Sequence, residues 1–380
     1  MQNRVDERGG ILPSRCCGVS AVSVPSVSRI RLFDLLRLAR ERDASDLHLV
    51  PGERPTLRVD GALVRLDARP LAPEEIADLG AILLDSRGLA TLCERGDADG
   101  ALRDRELGMF RVHAYRCFGQ PRFAIRLMAR TIPSLERLFF PPIVGQLATK
   151  HAGLVLFVGP TGSGKTTALA ALIDRINRTS ERHIVTVEDP VEYVHVPLRG
   201  FVSHREMGSD VPDFASAIRS CLRADPDVIL IGELRDPTTI QSALTAAETG
   251  HLVFSTLHTG DAAQTIDRII DAFSGGQQLH VRAQLAQTLI GVVSIRLVER
   301  ASGGGRRAAV EVLVATEAVR ALIRDGKTHQ LRNAIVTGRA AGMQTLETHL
   351  SELVVRRDVT LEAARATTDR AGEVRALAGA

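Results

Sequence analysis

The segment Val158–Thr167, VGPTGSGKTT, carries the strongest chemical signal in the chain. Gly159, Gly164, Lys165 and Thr166 satisfy the spacing G-x-x-x-x-G-K-[ST], with Pro160, Thr161, Gly162 and Ser163 inside the loop and Thr167 just beyond it. Glycines at these places let backbone N–H groups turn inward on phosphate oxygens. The Lys165 ammonium then meets the β and γ oxygens, and the Thr166 hydroxyl suits a Mg²⁺ ion carried with the nucleotide. The choice of lysine is itself informative, because the chain holds 45 arginines and only three lysines, Lys150, Lys165 and Lys327. A planar guanidinium on a longer stem would not fit inside so small a loop. The expected ligand is a nucleoside triphosphate, with Mg²⁺.

Carboxylates and histidines recur nearby. DPDVILIGELRD (Asp225–Asp236) sets an apolar strand directly before Glu233. An acid at a strand's C-terminal end, beside a phosphate cradle, is placed to position and polarise an attacking water; Asp227, at the strand's start, reads as structural. HIVTVEDPVEYVH (His183–His195) ends another strand in Glu188-Asp189. That pair suits either outer contacts to Mg²⁺ and water or an ordinary surface loop. GHLVFSTLHTGDAA (Gly250–Ala263) puts His251 and His258 at the two ends of a strand. Both fit polar residues of a sheet edge, and His258 alternatively fits a sensor of the γ-phosphate that passes its signal to a helix over Asp261–Asp271. No cysteine or third histidine lies at a spacing useful for zinc.

The elements that must hold these groups can be read from periodicity. Apolar residues at helical spacing predict a helix over Arg31–Arg42, and SDLHLV, PTLRVDG and ALVRLD read as short strands with a hairpin turn at Asp60-Gly61. Helices are expected over Pro73–Leu84 and Gly88–Arg95, then strands over Phe110–Arg116 and Arg122–Met128. From Gly153 strands and helices alternate: strands at Gly153–Val158, His183–Glu188, Asp227–Ile231 and His251–Thr256, with helices at Gly164–Asn177 and Pro237–Thr249. Runs such as LVLFV and VILI are apolar at consecutive positions, as in strands covered by helices on both faces, which predicts a doubly wound parallel sheet. A hairpin is expected around Ser302–Gly305, followed by helices.

Bulk composition narrows the function classes. A formal charge of +3 and 3% aromatic content, with no Trp, disfavour a nucleic-acid partner. No apolar run approaches the ~20 residues that span a bilayer. The five cysteines, Cys16, Cys17, Cys93, Cys117 and Cys221, form no CxxC pair and read as free thiols of a reducing compartment. Residues 1–28 read as a disordered tail, or a start codon placed too far upstream, in preference to a signal peptide.

The order cradle, VEDPVEY, GELRD, TGHLVFSTLHT resembles the secretion-superfamily ATPases, the hexameric motors of type II and type IV secretion and of type IV pili. The resemblance runs from about Arg31 to Asp369. It implies a PAS-like N-terminal domain over 29–130, a linker over 131–145, a RecA-like ATPase core over 146–300, a helical C-terminal region over 301–370 and a tail over 371–380. It also implies Glu188 as the Asp-box acid, Glu233 as the catalytic carboxylate and His251 with His258 as the His-box pair. Arginines of the N-terminal domain reach the nucleotide in this family, which points to Arg111 and Arg126 as sensors, with Arg116 beside them. EAVRALIRDGKTHQL (Glu317–Leu331) and GMQTLETHL are similar to the signature of the members that retract pili in twitching motility. The four-cysteine module usual in extension and type II secretion members does not occur in the sequence. Ser255, Ala224, His204 and Ile295 depart from the family's habit without removing a catalytic group.

The implied protein is a homo-hexameric ATPase at the cytoplasmic face of the inner membrane, with a membrane platform protein as partner and its membrane association through that partner. The alternatives are a pilus-assembly or type II secretion ATPase of the same superfamily, an accessory paralogue of the retraction motor, a RecA-like motor acting on nucleic acid, and a non-hydrolysing regulatory subunit.

Overall fold

The computed structural model describes residues 26–59, 61–128 and 131–379. The chain divides into two compact units, Met1–Thr131 and Ile132–Ala380.

The N-terminal unit runs α1 (Ser26–Glu41), β1 (Asp46–Leu49), β2 (Thr56–Val59), β3 (Ala62–Arg65), α2 (Pro73–Leu83), α3 (Ser86–Arg95), β4 (Asp97–Asp104), β5 (Gly108–Cys117) and β6 (Gln120–Leu127). Its strands form one antiparallel sheet in the order β3-β2-β1-β6-β5-β4. Leu32, Leu35, Leu36 and Ala39 repeat at helical spacing along α1 and are all buried. Along β5, buried Phe110, Val112 and Ala114 alternate with exposed Arg111 and His113. The buried side chains share one core with residues of all three helices, including Leu36, Ile76 and Leu92. The opposite face of the sheet is therefore polar. Strand β4 escaped the sequence reading because DADGALRD has three acids and a glycine; it is an edge strand with partners on one side only. Asp60 of the expected turn lies outside the described residues, while Gly61, at φ 82°, follows it in the β2–β3 hairpin.

The second unit opens with α4 (Pro142–Leu147) and continues β7 (Gly153–Val158), α5 (Lys165–Thr179), β8 (His183–Glu188), β9 (Phe201–Glu206), α6 (Phe214–Cys221), β10 (Val228–Ile231), α7 (Pro237–Glu248) and β11 (Leu252–Leu257). It then runs α8 (Ala262–Asp271), α9 (Gly275–Thr288), β12 (Leu289–Glu299), β13 (Arg306–Val314), α10 (Glu317–Arg324), α11 (Leu331–Thr337), α12 (Leu346–Val355), α13 (Leu361–Ala366) and α14 (Ala371–Ala378). Seven strands form one sheet in the order β13-β12-β7-β11-β10-β8-β9, parallel except for β13. The apolar runs serve two cores at once. Leu154, Leu156 and Val158 of β7 face one cluster, while Val155 and Phe157 face another. Ile229 and Ile231 against Val228 and Leu230 repeat the division in β10. The architecture is a RecA-like α/β sheet in which β11 separates the cradle strand β7 from the Glu233 strand β10.

Several expectations need correction. The stretch 301–370 is not helical throughout, since β13 adds an antiparallel edge to the sheet. Most of the expected tail over 371–380 is helix: α14 (Ala371–Ala378) buries Val374 against α12 and α13, sharing a core with Leu350 and Ala364. Helix α1 starts at Ser26, inside the expected tail. Within 131–145, Leu135 and Val144 are buried in the core of the second unit. Cys117 and Cys221 are free thiols, as expected, while Cys16 and Cys17 lie outside the described residues. Strand β9 and helices α6 and α9 were not anticipated; β9, FVSHRE, is again an edge strand with no apolar run.

Glu311 of β13 is buried beside α8, where its carboxylate accepts from the Ala262 N–H at 3.0 Å. Burial pushes its pKa up to about 7 from 4.5, the Ala262 N–H acts against that, and Asp261 and Glu347 add to it. A carboxyl raised in the folded state costs stability as pH climbs through 4.5 to about 7, because the unfolded chain ionises first. Glu311→Gln, which cannot ionise, is predicted to be more stable than the wild type at pH 8 by on the order of 3 kcal/mol, with the gap closing near pH 4.5. Urea titrations at both pH values check this; equal gaps at the two would contradict it.

Candidate active site

The loop between β7 and α5 has the backbone that its glycines foretell. Gly159, Gly162 and Gly164 take φ of 143°, 77° and 90°, the region other residues rarely adopt. Gly164 is the N-cap of α5 with no side-chain cap bond, leaving the helix's first N–H groups and positive dipole end for an anion. Lys165, at the first position of α5, is 7% exposed. Its Nζ donates to the carbonyls of Gly159 at 2.8 Å and Pro160 at 3.0 Å. Burial lowers its pKa, and the Glu233 charge opposes that. The hydroxyl of Ser163 is buried without a hydrogen-bond partner.

Three strand ends supply the carboxylates and imidazole. Gly232 and Glu233 follow β10, and the neighbouring strand pins them: Ser255 Oγ donates to Ile231 O at 2.8 Å and Thr256 Oγ1 to Gly232 O at 2.7 Å. The Ser255 bond explains how this unexpected hydroxyl is tolerated at full burial. Glu233 Oε1 pairs with Arg235 at 2.5 Å, and Oε2 lies 3.6 Å from His258 Nε2. The Arg235 side chain is 71% exposed, so the pair contributes no more than about 1 kcal/mol. His258 also meets Thr161 Oγ1 through Nδ1 at 3.3 Å, joining the cradle to the Glu233 loop.

Glu188 ends β8 and is buried. His204 of β9, the register partner of Thr186, places Nδ1 3.8 Å from the Glu188 carboxylate and 2.9 Å from Thr186 Oγ1. His204 Nε2 accepts the His195 N–H at 3.1 Å, which puts the ring proton on Nδ1. The His195 and His204 rings stack at 5.6 Å. Burial first, then His204, pushes His195 down to about 4, so it is neutral at physiological pH. Tyr193 Oη meets Thr167 Oγ1 at 3.0 Å.

These groups line one cavity of about 400 Å³, which includes Thr161, Gly162, Lys165, Thr166, Thr167, Glu188, Asp189, Glu233 and His258. Glu188 and Asp189 both line the cavity, Glu188 buried at the strand end and Asp189 exposed in the bend that follows it. His251 is not brought in. It sits at the other end of β11, with Nδ1 3.0 Å from Ala246 O, where it caps α7. Arg111 and Arg126 lie within the N-terminal unit, directly opposite each other across β5 and β6 on its polar face. Arg126 Nε donates to Asp46 at 3.0 Å. Arg235, Tyr193, His195 and Thr256 were missed as site residues, although all four stand in segments singled out for their neighbours.

The sequence model of the family described as Type II/IV secretion system protein matches residues 29–378. The chain belongs to that family. Among members of the type II/IV secretion family, it is 42% identical over 334 residues to a twitching motility protein of Neisseria gonorrhoeae, covering 88% of this chain and 89% of that one. It is 43% identical over 338 residues to the type IV pilus retraction ATPase PilT of Pseudomonas aeruginosa, covering 88% and 97%. The crystal structure of the pilus retraction motor PilT with bound ADP superimposes with a TM-score of 0.85 at 39% identity, over 91% of this chain and 99% of that one.

A Cβ on Gly159 would lie 2.4 Å from Ile295 O and 2.7 Å from Ser163 Oγ, and the left-handed φ adds strain. Gly159→Ala is predicted to weaken ATP binding at least ~10-fold and to lower the melting temperature. Calorimetric titration with Mg-ATP checks it, and an affinity equal to wild type would show that the loop does not need this close approach.

Proposed function

We propose that this chain is an ATP-hydrolysing motor that withdraws type IV pili. The observation that carries the reading is the convergence of Lys165, Thr166, Glu188, Glu233 and His258 on one cavity at the carboxyl ends of β7, β8, β10 and β11. In an open α/β sheet that is the ligand-binding side. The names of the relatives supply the output, pilus retraction and twitching motility.

ATP would lie with its phosphates over the cradle amides and the N-terminus of α5, with Lys165 moving from loop carbonyls to phosphate oxygens. Mg²⁺ bound with ATP would be held by the Thr166 hydroxyl, the phosphates and water, with Glu188 and Asp189 as acceptors for its waters. Such a site asks few ligands of the protein. That fits a chain in which no cluster of three or more His, Cys, Asp or Glu could hold a metal among the described residues. When bound, the ion neutralises phosphate charge and fixes the phosphates in line for attack. Glu233 orients the attacking water and takes its proton. His258, linked to Thr161 and Glu233, reports the γ-phosphate to the helix that follows it, α8.

Arg111 and Arg126 are assigned to the nucleotide as sensors. Support comes from their placement on the polar face of the N-terminal sheet and from Asp46, which holds the Arg126 head group. Six copies in a ring would turn hydrolysis into a stroke between the two units, passed to a membrane platform protein at the cytoplasmic face of the inner membrane. No helix among the described residues is long and apolar enough to cross a membrane. The C-terminal segment EAVRALIRDGKTHQL contributes to retraction rather than to hydrolysis. In α10, Val319 and Ile323 belong to the core, whereas Arg324 is exposed.

Lys165→Ala and Glu233→Gln are each predicted to cut phosphate release at least ~100-fold; wild-type turnover in either would remove the site assignment. Arg324→Glu, on the exposed face of α10, is predicted to leave hydrolysis within about twofold while twitching motility of the host is lost. Loss of both together would contradict the separate role of this segment.

A further inference from the structure

Arg235 follows Glu233 by two residues in GELRD, and neither the motif nor the family reading supplies a task for it. It lines the same cavity as Lys165, Thr166 and His258. Its guanidinium holds Glu233 Oε1 at 2.5 Å, while the other carboxylate oxygen has His258 at 3.6 Å. That arrangement conflicts with the work asked of Glu233. The guanidinium occupies the carboxylate oxygen that an attacking water would need.

The conflict disappears if the guanidinium has a better acceptor in the same cavity. A γ-phosphate carries more charge than a carboxylate and presents two oxygens at the spacing a guanidinium fork matches. The Arg235 side chain is 71% exposed and so free to swing, whereas Glu233, at 13%, is held by its strand end. Glu233 first, and Asp189 of the same cavity more weakly, favour the Arg235 charge.

We propose that Arg235 is a catalytic residue that exchanges Glu233 for the γ-phosphate of bound ATP, and by doing so releases Glu233 to act as base. The proposal rests on the ATPase reading of the site. With the guanidinium on the γ-phosphate, Glu233 Oε1 accepts a proton from the attacking water. The water oxygen bonds to the γ phosphorus as the bond from that phosphorus to the β–γ bridging oxygen breaks, and the electron pair leaves with ADP. Once phosphate departs, Arg235 returns to Glu233. The base is thus available only while a γ-phosphate is present, and idle activation of water is suppressed.

The test uses the full chain, Mg²⁺, ATP and ADP. Glu233→Gln removes the charged partner and stops turnover, so ATP affinity can be measured at equilibrium. Adding Arg235→Ala to it is predicted to weaken ATP binding about 10-fold or more while changing ADP affinity less than about twofold. Arg235→Lys in the same background should recover part of the ATP affinity, through charge without the fork. If Arg235 acted only by holding Glu233, its removal in the Glu233→Gln background would leave both nucleotides unaffected, and that result overturns the proposal. Equal losses for ATP and ADP overturn it too, because they describe general damage to the site. Failure of the wild-type chain to bind either nucleotide would instead remove the ATPase reading and the proposal with it.

Discussion

The second unit is organised around one constraint, the close approach of backbone to backbone at Gly159. Its Cα lies where any side chain would run into Ile295 O and Ser163, and this tightness lets the chain turn from β7 into α5 within six residues, 159 to 164. Around that turn N–H groups crowd together, a helix begins without a side-chain cap, and an ammonium is forced below the surface. A compact source of positive potential results, with phosphate as its natural counterpart. The strands on either side are the rigid frame. β11 and β12 flank β7, and β12 presents the very carbonyl that excludes a side chain at Gly159.

The remaining chemistry consists of charges set against that potential at fixed distances. Glu188 ends β8 and Glu233 follows β10 by two residues, so strand order in the one sheet sets both near the cradle. Ser255 and Thr256 tie the β10 end to β11, and His258 spans from Glu233 to Thr161. His204 performs a similar service on the far side, bonding Thr186 and the His195 backbone while its ring lies against His195. A departure from family habit at position 204 thus has a structural task in this chain. Each cation in the cavity already has acceptors within the chain, so a phosphate must outbid carbonyls for Lys165 and a carboxylate for Arg235.

Much of this was legible in the residues, and the limits are physical. The buried strands β7, β8, β10 and β11 announced themselves as apolar runs, because both of their faces meet helices. β4 and β9 did not, since an edge strand needs only a half-row of apolar contacts and tolerates acids and a glycine. The cradle could be read because its function demands a backbone that few sequences allow. His251 misled because a histidine at either end of a strand looks the same in sequence; only the parallel register separates the end beside the cradle from the end that caps α7. Arg235 stayed unmarked for the opposite reason. Among 45 arginines no composition signal can single out one, and its meaning depends on a distance to Glu233. The N-terminal arginines share that problem.

The central claim is that the cradle recognises the terminal phosphates of a nucleotide, rather than its base or sugar. Its most direct measurement is a comparison of equilibrium affinities of the purified chain for ATP, ADP and AMP in the presence of Mg²⁺. The account predicts that AMP, which lacks the β- and γ-phosphates, binds at least ~100-fold more weakly than ATP, a difference of about 2.7 kcal/mol, while ADP keeps most of the affinity. AMP binding as tightly as ATP would contradict it, and would mean that the glycines and Lys165 of the loop grip something other than a phosphate chain.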